Sequence, residues 1–188
     1  MLLSYVELVE LVEQGVISAP LENINASSID LTLDYRILVE REEKRFVDLS
    51  NKENIVTGEY HMDEIEEGDD PEHIMCYHLH PGEFVLASSR EVFNLPNNIS
   101  AEYKLKSSMA RNGLEHLNAG WCDAGWHGSK LTLELKNMTQ DHTLILRPGM
   151  KIGQVVFFKH TPVPDHASYA ARGRYNNQSG ATAAKGIV

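Results

Sequence analysis

Residues 79–86 read LHPGEFVL, and residues 146–153 repeat the pattern as LRPGMKIG. In both, Pro-Gly suits the two central positions of a type II turn, because proline presets φ and glycine accepts a positive φ. An apolar run follows each pair, so each turn is predicted to launch a strand. Alternation of apolar or β-branched residues with polar ones predicts further strands at 27–33, 102–105, 130–136, 143–146 and 154–159. Many short strands punctuated by Gly, Pro and Asn indicate a sandwich or barrel, and the repeated Pro-Gly turns suit a jelly-roll-like closure. The expected fold is mainly β, a distorted jelly roll or β-barrel.

Helix is expected in two places. Residues 1–15 interleave Leu3, Val6, Leu8, Val9 and Val12 with Glu7, Glu10 and Glu13, an amphipathic helix ended by Gly15. A short helix is expected near 107–112, with Ser107 or Ser108 as its cap and Gly113 as its stop. Residues 51–73 contain EIEEGDDPEH and are expected to form an acidic surface excursion. The stretch 162–188 is rich in Ala, Gly and Asn and poor in large aliphatics, so it is expected to be a tail that is disordered or ordered by a ligand. At 188 residues, 1–188 reads as a single domain.

The formal net charge of −10 argues against general affinity for nucleic acid. Its distribution is uneven: residues 76–188 carry 12 basic against eight acidic side chains, enough to bind a small polyanion. No apolar run reaches the roughly 20 residues needed to span a bilayer. The N-terminus lacks the basic stretch of a signal peptide. Cys76 and Cys122 are the two cysteines, which fits a reducing compartment and a cytoplasmic location.

Three stretches could carry chemistry. KSSMARNGL (106–114) places Lys106, two hydroxyls and Arg111 around a helix start, an arrangement that suits either an anion site or an ordinary capped helix. AGWCDAGW (119–126) sets both tryptophans beside small residues and around Asp123. In Leu131-Thr132-Leu133-Glu134-Leu135, the leucines are expected to face the core, leaving Glu134 on the other face, in solvent or in a pocket. Zinc-activated base deamination needs H-x-E followed by P-C-x-x-C, and this chain has neither, so no zinc is expected.

Taken in order, KSSMARNGL, AGWCDAGWHGSKLTLEL (119–135), LRPGMKIGQVVF (146–157) and RYNNQSG (174–180) resemble the dCTP deaminase branch of the dUTPase superfamily. The similarity runs over most of residues 27–182 and is weakest across the acidic stretch. It implies a dUTPase-like β fold, a homotrimer with active sites between subunits, and a deoxynucleoside triphosphate bound with Mg²⁺ on its phosphates rather than on protein side chains. By that resemblance Glu134 is the general base on a water that attacks C4 of cytosine. Arg111 holds and charge-balances it, and Ser107 stands beside the reacting water. Lys106 and Ser108 fall where phosphates are contacted, with lysine in place of the family's usual arginine. Ala119 and Gly120 are expected to let the pyrimidine approach the backbone, and Asp123 to meet the sugar. Tyr169, Arg174, Tyr175 and Gln178 match a C-terminal segment that closes over the nucleotide.

The activity implied is zinc-independent deamination of dCTP to a deoxyuridine nucleotide and ammonia, feeding dTTP synthesis, with dCTP and dUTP as ligands and dTTP as a candidate inhibitor. One reading releases dUTP. A second is bifunctional and continues to dUMP and pyrophosphate; the small residues of A-G-W-C-D-A-G favour it. A plain dUTPase and a non-catalytic nucleotide-binding trimer are the remaining alternatives. The spacing from Asp123 to Glu134 is one residue longer than usual for the family, which predicts either a displaced Glu134 or a β-bulge near 128–130.

Overall fold

Both Pro-Gly turns form as the sequence predicts. Gly82 and Gly149 each sit at φ +76°, and the turns close with Glu83 N–H donating to His80 O (3.0 Å) and Met150 N–H to Arg147 O (3.3 Å). They belong to a computed structural model that describes residues 1–41, 46–51, 54–62 and 75–186. In chain order the elements are α1 (Tyr5–Glu13), β1 (Ile29–Thr32), β2 (Arg36–Glu40), β3 (Val56–His61), β4 (Tyr77–Leu79), β5 (Phe84–Asn94), β6 (Ile99–Leu105), α2 (Ser107–Ala110), β7 (Leu114–His116), β8 (Trp121–Cys122), β9 (His127–Asn137), β10 (Leu144–Leu146), β11 (Lys151–Lys159) and α3 (Tyr169–Arg172).

The repeat in sequence is a repeat in space. β4 and β10 pair antiparallel, Leu79 opposite Leu144, and the turn after each sends the chain into a different sheet. β5 enters a five-stranded sheet ordered β3-β2-β5-β9-β7, whereas β11 enters a four-stranded sheet ordered β1-β11-β6-β8. The two larger sheets share one core: Phe93 of β5 stacks on Phe157 of β11 (6.5 Å between ring centroids), among Leu31, Ile37, Val85, Leu133 and Val155. The fold is mainly β, as expected, but its ladders form separate sheets among the described residues, so the barrel closure is corrected. Closure needs an unbroken ladder, and the four-stranded sheet ends at β8, which is only two residues long.

Three further expectations change in detail. Within the stretch 51–73 expected to be a surface excursion, Val56–His61 is a strand antiparallel to β2; residues 52, 53 and 63–74 lie outside the described residues. α2 is only Ser107–Ala110, and its N-cap is Lys106 with no side-chain cap bond, so neither serine caps it. The tail is seated on its own chain: Lys130 N–H donates to Gln178 O (2.8 Å), Asn177 N–H to His127 O (3.1 Å), and Thr182 N–H to Thr132 Oγ1 (3.2 Å). Backbone bonds along β9 therefore do what the tail's small side chains cannot. They also bring Ala181 onto Leu38, Val56 and Leu86, a second apolar cluster on the outer face of the five-stranded sheet.

The longer spacing before Glu134 is absorbed as a bulge. Phe93 faces Ser129 while its neighbour Asn94 faces His127, so Gly128 is the extra residue, and its φ of +61° is one that glycine accepts. Beyond the bulge β9 alternates without interruption, with Leu131, Leu133 and Leu135 buried and Glu134 partly exposed on the opposite face.

Asp30, almost fully buried on β1, ties the sheet to the start of α2. Lys106 Nζ donates to it at 2.7 Å, Asn25 Nδ2 at 2.9 Å, and Lys151 Nζ lies 3.3 Å away. Burial opposes its charge, but the lysines and the Asn25 amide together hold its carboxyl below the usual carboxylate range. Its contribution to stability is thus complete above the unfolded carboxyl value of about 4 and is lost as pH falls through the lowered folded value. Asp30→Asn is expected to lower the melting temperature by about 5 °C at pH 7. That deficit is expected to shrink as melts are recorded below about pH 4.

Candidate active site

Glu134 points from β9 into a cavity of about 440 Å³ that lies between the outer face of the five-stranded sheet, the β7–β9 connection and the tail. Ala119, Asp123, Tyr169, Tyr175 and Gln178, all singled out in the sequence, line the same cavity. Six of the twelve sequence-derived site residues therefore meet in one place. Apolar surface from Phe84, Leu86 and Leu131 completes the wall beside Glu134, in keeping with a small-molecule pocket in which a few polar groups set orientation.

Asp123 is exposed and accepts a hydrogen bond from Trp121 Nε1–H (2.9 Å), while Trp121 itself stacks on Phe158. Trp126 does the opposite work. It is buried against Phe93 (5.2 Å), and its Nε1–H donates to Tyr175 O (2.7 Å), tying the tail to the β8–β9 connection. Ser129 Oγ donates to the same carbonyl at 3.1 Å. The ring of Tyr175 is in turn covered by Lys185 Nζ at 5.1 Å, and Tyr169 N–H reaches Ala124 O at 2.9 Å. Partial burial raises the phenol of Tyr169 above its ordinary value, so it is a neutral donor at physiological pH.

The other six are elsewhere. Lys106, Ser107, Ser108 and Arg111 lie on and beside α2 and do not line this cavity; the Lys106 ammonium is held by Asp30. Arg174 is exposed on the tail and donates to Gly186 O. Gly120 is behind the wall rather than in it: a Cβ there would come within 2.7 Å of Tyr103 O and 2.9 Å of Tyr103 Cβ. Its smallness serves the packing of the β7–β8 connection onto β6.

Sequence reasoning missed what stands behind Glu134. His116 Nε2, on β7, is 3.3 Å from Glu134 Oε2, and the His116 side chain is only 4% exposed. The available signal was a lone histidine on the buried face of the Leu114-Glu115-His116 alternation. Also missed were Val47, Leu49, Asn54 and Ile55, which line the far end of the cavity from the stretch leading into β3. Cys122 is buried, and burial together with the Asp123 charge pushes its thiol up to about 12, so it is a neutral packing group beside the cavity. Among the described residues no group of three or more His, Cys, Asp or Glu is placed to hold a metal ion. No helix among them is long and apolar enough to cross a membrane.

The family model of dCTP deaminase-like proteins matches residues 2–160. The chain belongs to that family. It is 38% identical over 171 residues to the dUMP-forming dCTP deaminase of Streptomyces coelicolor, covering 88% of this chain and 83% of that one. It is 35% identical over 181 residues to the dUMP-forming dCTP deaminase of Corynebacterium diphtheriae, covering 94% of this chain and 90% of that one. Among solved structures, the 2′-deoxycytidine 5′-triphosphate deaminase of Agrobacterium tumefaciens superposes with a TM-score of 0.63 at 18% identity. This chain is covered over 83% of its length and spans 48% of that longer chain, a likeness of fold.

The placement of Gly120 gives a direct check. Gly120→Ala is expected to lower the melting temperature by about 5 °C or more, as overpacking of a tight contact does. Nucleotide affinity measured well below that temperature is expected to stay within about threefold of the parent, because the added methyl points at Tyr103 and away from the cavity.

Proposed function

We propose that this protein deaminates dCTP and carries the product on to dUMP. The observation that carries the reading is Glu134, a carboxylate that β9 projects from between the buried Leu133 and Leu135 into a cavity shared with Asp123, Tyr169, Tyr175 and Gln178. The names of the curated relatives, dUMP-forming dCTP deaminases, support the bifunctional reading over release of dUTP, as does A-G-W-C-D-A-G.

In the first step Glu134 takes a proton from water as the oxygen adds to C4 of the cytosine. Protonation of the C4 amino group, with Glu134 as carrier, lets ammonia leave and regenerates the carbonyl: dCTP and water give dUTP and ammonia. A second water, activated at the Asp123 end, cleaves dUTP to dUMP and pyrophosphate. Asp123 is also suited to accept a hydrogen bond from the sugar 3′-hydroxyl. Mg²⁺, held through the triphosphate rather than by protein side chains, would neutralise part of its charge. That fits a cavity wall whose carboxylates are few, since Mg²⁺ keeps several waters and binds mainly through phosphate oxygens. The dUMP formed supplies dTTP synthesis, and dTTP, with the same sugar and triphosphate, is suited to the cavity as an inhibitor.

Residues 162–188 act as a lid in this reading, and 1–188 as one domain. The separation of Lys106, Ser107, Ser108 and Arg111 from the cavity supports a homotrimer in which a neighbouring subunit supplies the phosphate contacts and Arg111. A cytoplasmic location suits the substrate and the two unpaired cysteines.

Glu134→Gln is expected to abolish ammonia release from Mg·dCTP, a loss of at least about 10³-fold, while nucleotide binding persists. Anion-exchange separation of the parent's products is expected to show dUMP and pyrophosphate. Accumulation of dUTP alone would leave only the deaminase half of the proposal. For the shared site, subunits carrying Glu134→Gln and subunits carrying Arg111→Ala, each inactive alone, are expected to regain activity when refolded together. Mixtures that stay inactive would place both residues' functions within one subunit.

A further inference from the structure

Among the described residues, three enclosed polar atoms without a hydrogen-bond partner sit together behind the cavity: Tyr103 Oη, His116 Nε2 and Glu134 Oε2. They arrive from three different strands, β6, β7 and β9. The His116 and Tyr103 rings meet edge to face with centroids 4.4 Å apart. The Glu134 side chain as a whole is 26% exposed, so its enclosed Oε2 and its open remainder face in different directions, one into the protein and one into the cavity. Buried polar atoms left without a partner are rare because each costs stability, so the close His116–Glu134 pair with the Tyr103 ring against it marks a place where the chain gives up stability for function.

The slot that holds Tyr103 is built for it. Gly120 leaves room for the Tyr103 backbone on one side, and on the neighbouring strand β11 a Cβ at Gly153 would fall inside the Tyr103 ring. Burial, and secondarily the negative charge of Glu134, push the Tyr103 phenol above its ordinary range, so it keeps its proton. Around Glu134 the facing residue on β5 is Leu86, which offers no donor, and Arg111 lies away on α2.

We propose that His116 and Tyr103 are positioning residues for Glu134. This rests on the reading of Glu134 as the base. The Nε2–H tautomer of His116 aims its proton at Glu134 Oε2, and the 3.3 Å separation becomes a hydrogen bond with a small rotation of the carboxylate, as such contacts often do when a substrate binds. Tyr103 sets the plane of the His116 ring through the edge-to-face contact and keeps a second protonated donor behind the carboxylate. Oε2 is thereby fixed from within the same subunit, leaving the cavity-facing oxygen to take the proton from water. His116 and Tyr103 keep their protons and orient; Glu134 alone takes a proton from water and passes it to the leaving amino group.

The test is steady-state kinetics with Mg·dCTP, with melting temperatures, on His116→Leu, His116→Gln and Tyr103→Phe, and with Glu134→Gln as reference. His116→Leu is expected to lower kcat about 10- to 100-fold with KM within about threefold, the loss of one hydrogen bond to a charged group. His116→Gln, which retains an N–H donor near the Nε2 position, is expected to recover most of that loss. A His116→Leu enzyme within about twofold of the parent, or a Gln variant as slow as the Leu variant, would overturn the proposal. Should His116→Leu fail to fold, Tyr103→Phe decides, because it removes one oxygen and keeps the ring in its slot. A fall in kcat of about threefold or more at unchanged KM supports the role, and unchanged kcat removes it. If Glu134→Gln itself keeps deaminating, the reading of the base fails, and this inference fails with it; if Glu134→Gln is dead and the others are unaffected, only the inference fails.

Discussion

The register of β9 is the constraint on which the site depends. Period-two alternation buries Leu131, Leu133 and Leu135 and leaves Glu134 on the opposite face; a slip of one residue would exchange them. The extra residue before Glu134 threatens such a slip, and Gly128 removes the threat by bulging out of the ladder. The buried leucines make the slipped alternative costly, since each would lose about 1.5–3 kcal/mol of burial. The same leucines that build the core therefore aim the carboxylate, and fold stability and site geometry are enforced by one set of contacts.

Features that follow from local chemistry were legible in the sequence. The Pro-Gly turns need only φ preferences, the amphipathic first helix only a spacing, and the face of β9 that carries Glu134 only the alternation around it, while its proposed role came from the resemblance. Features set by tertiary partners were not legible. β3 lies in a polar, acidic stretch because it is an edge strand whose pairing with β2 is made by the backbone, so its side chains carry little apolar signal. The tail shows the same limitation: its Ala and Gly residues read as incapable of packing, yet they let the backbone run close enough to β9 to bond with it. His116 and Gly120 owe their meaning to Tyr103, a residue that no spacing rule links to either.

The octet AGWCDAGW divides between the cavity and the packing behind it. Ala119 and Asp123 do line the cavity, whereas Gly120, between them and Tyr103, is small for the protein's sake. The two tryptophans divide in a similar way. Trp126 is a core residue whose indole N–H fastens the tail, and Trp121, 58% exposed, orients Asp123 from the surface. Both tryptophans line the cavity, one bonding the Asp123 carboxylate and the other fastening the tail.

The replacement of the family's usual arginine by Lys106 fits this arrangement. An arginine fork gives two parallel bonds to one planar partner, so a guanidinium engaged by Asp30 would have its best geometry already committed. An ammonium has three donors around one atom. Lys106 spends one on Asp30 at 2.7 Å, and the ion pair keeps the side chain in place at the start of α2 while other N–H directions remain for a phosphate. Lys151, 3.3 Å from the other Asp30 oxygen, leaves the trio with a net positive charge on an otherwise acidic protein. Under the proposed function, a triphosphate would meet that surplus without having to break the Asp30–Lys106 pair, so the contact that stabilises the fold need not compete with the contact proposed for the substrate.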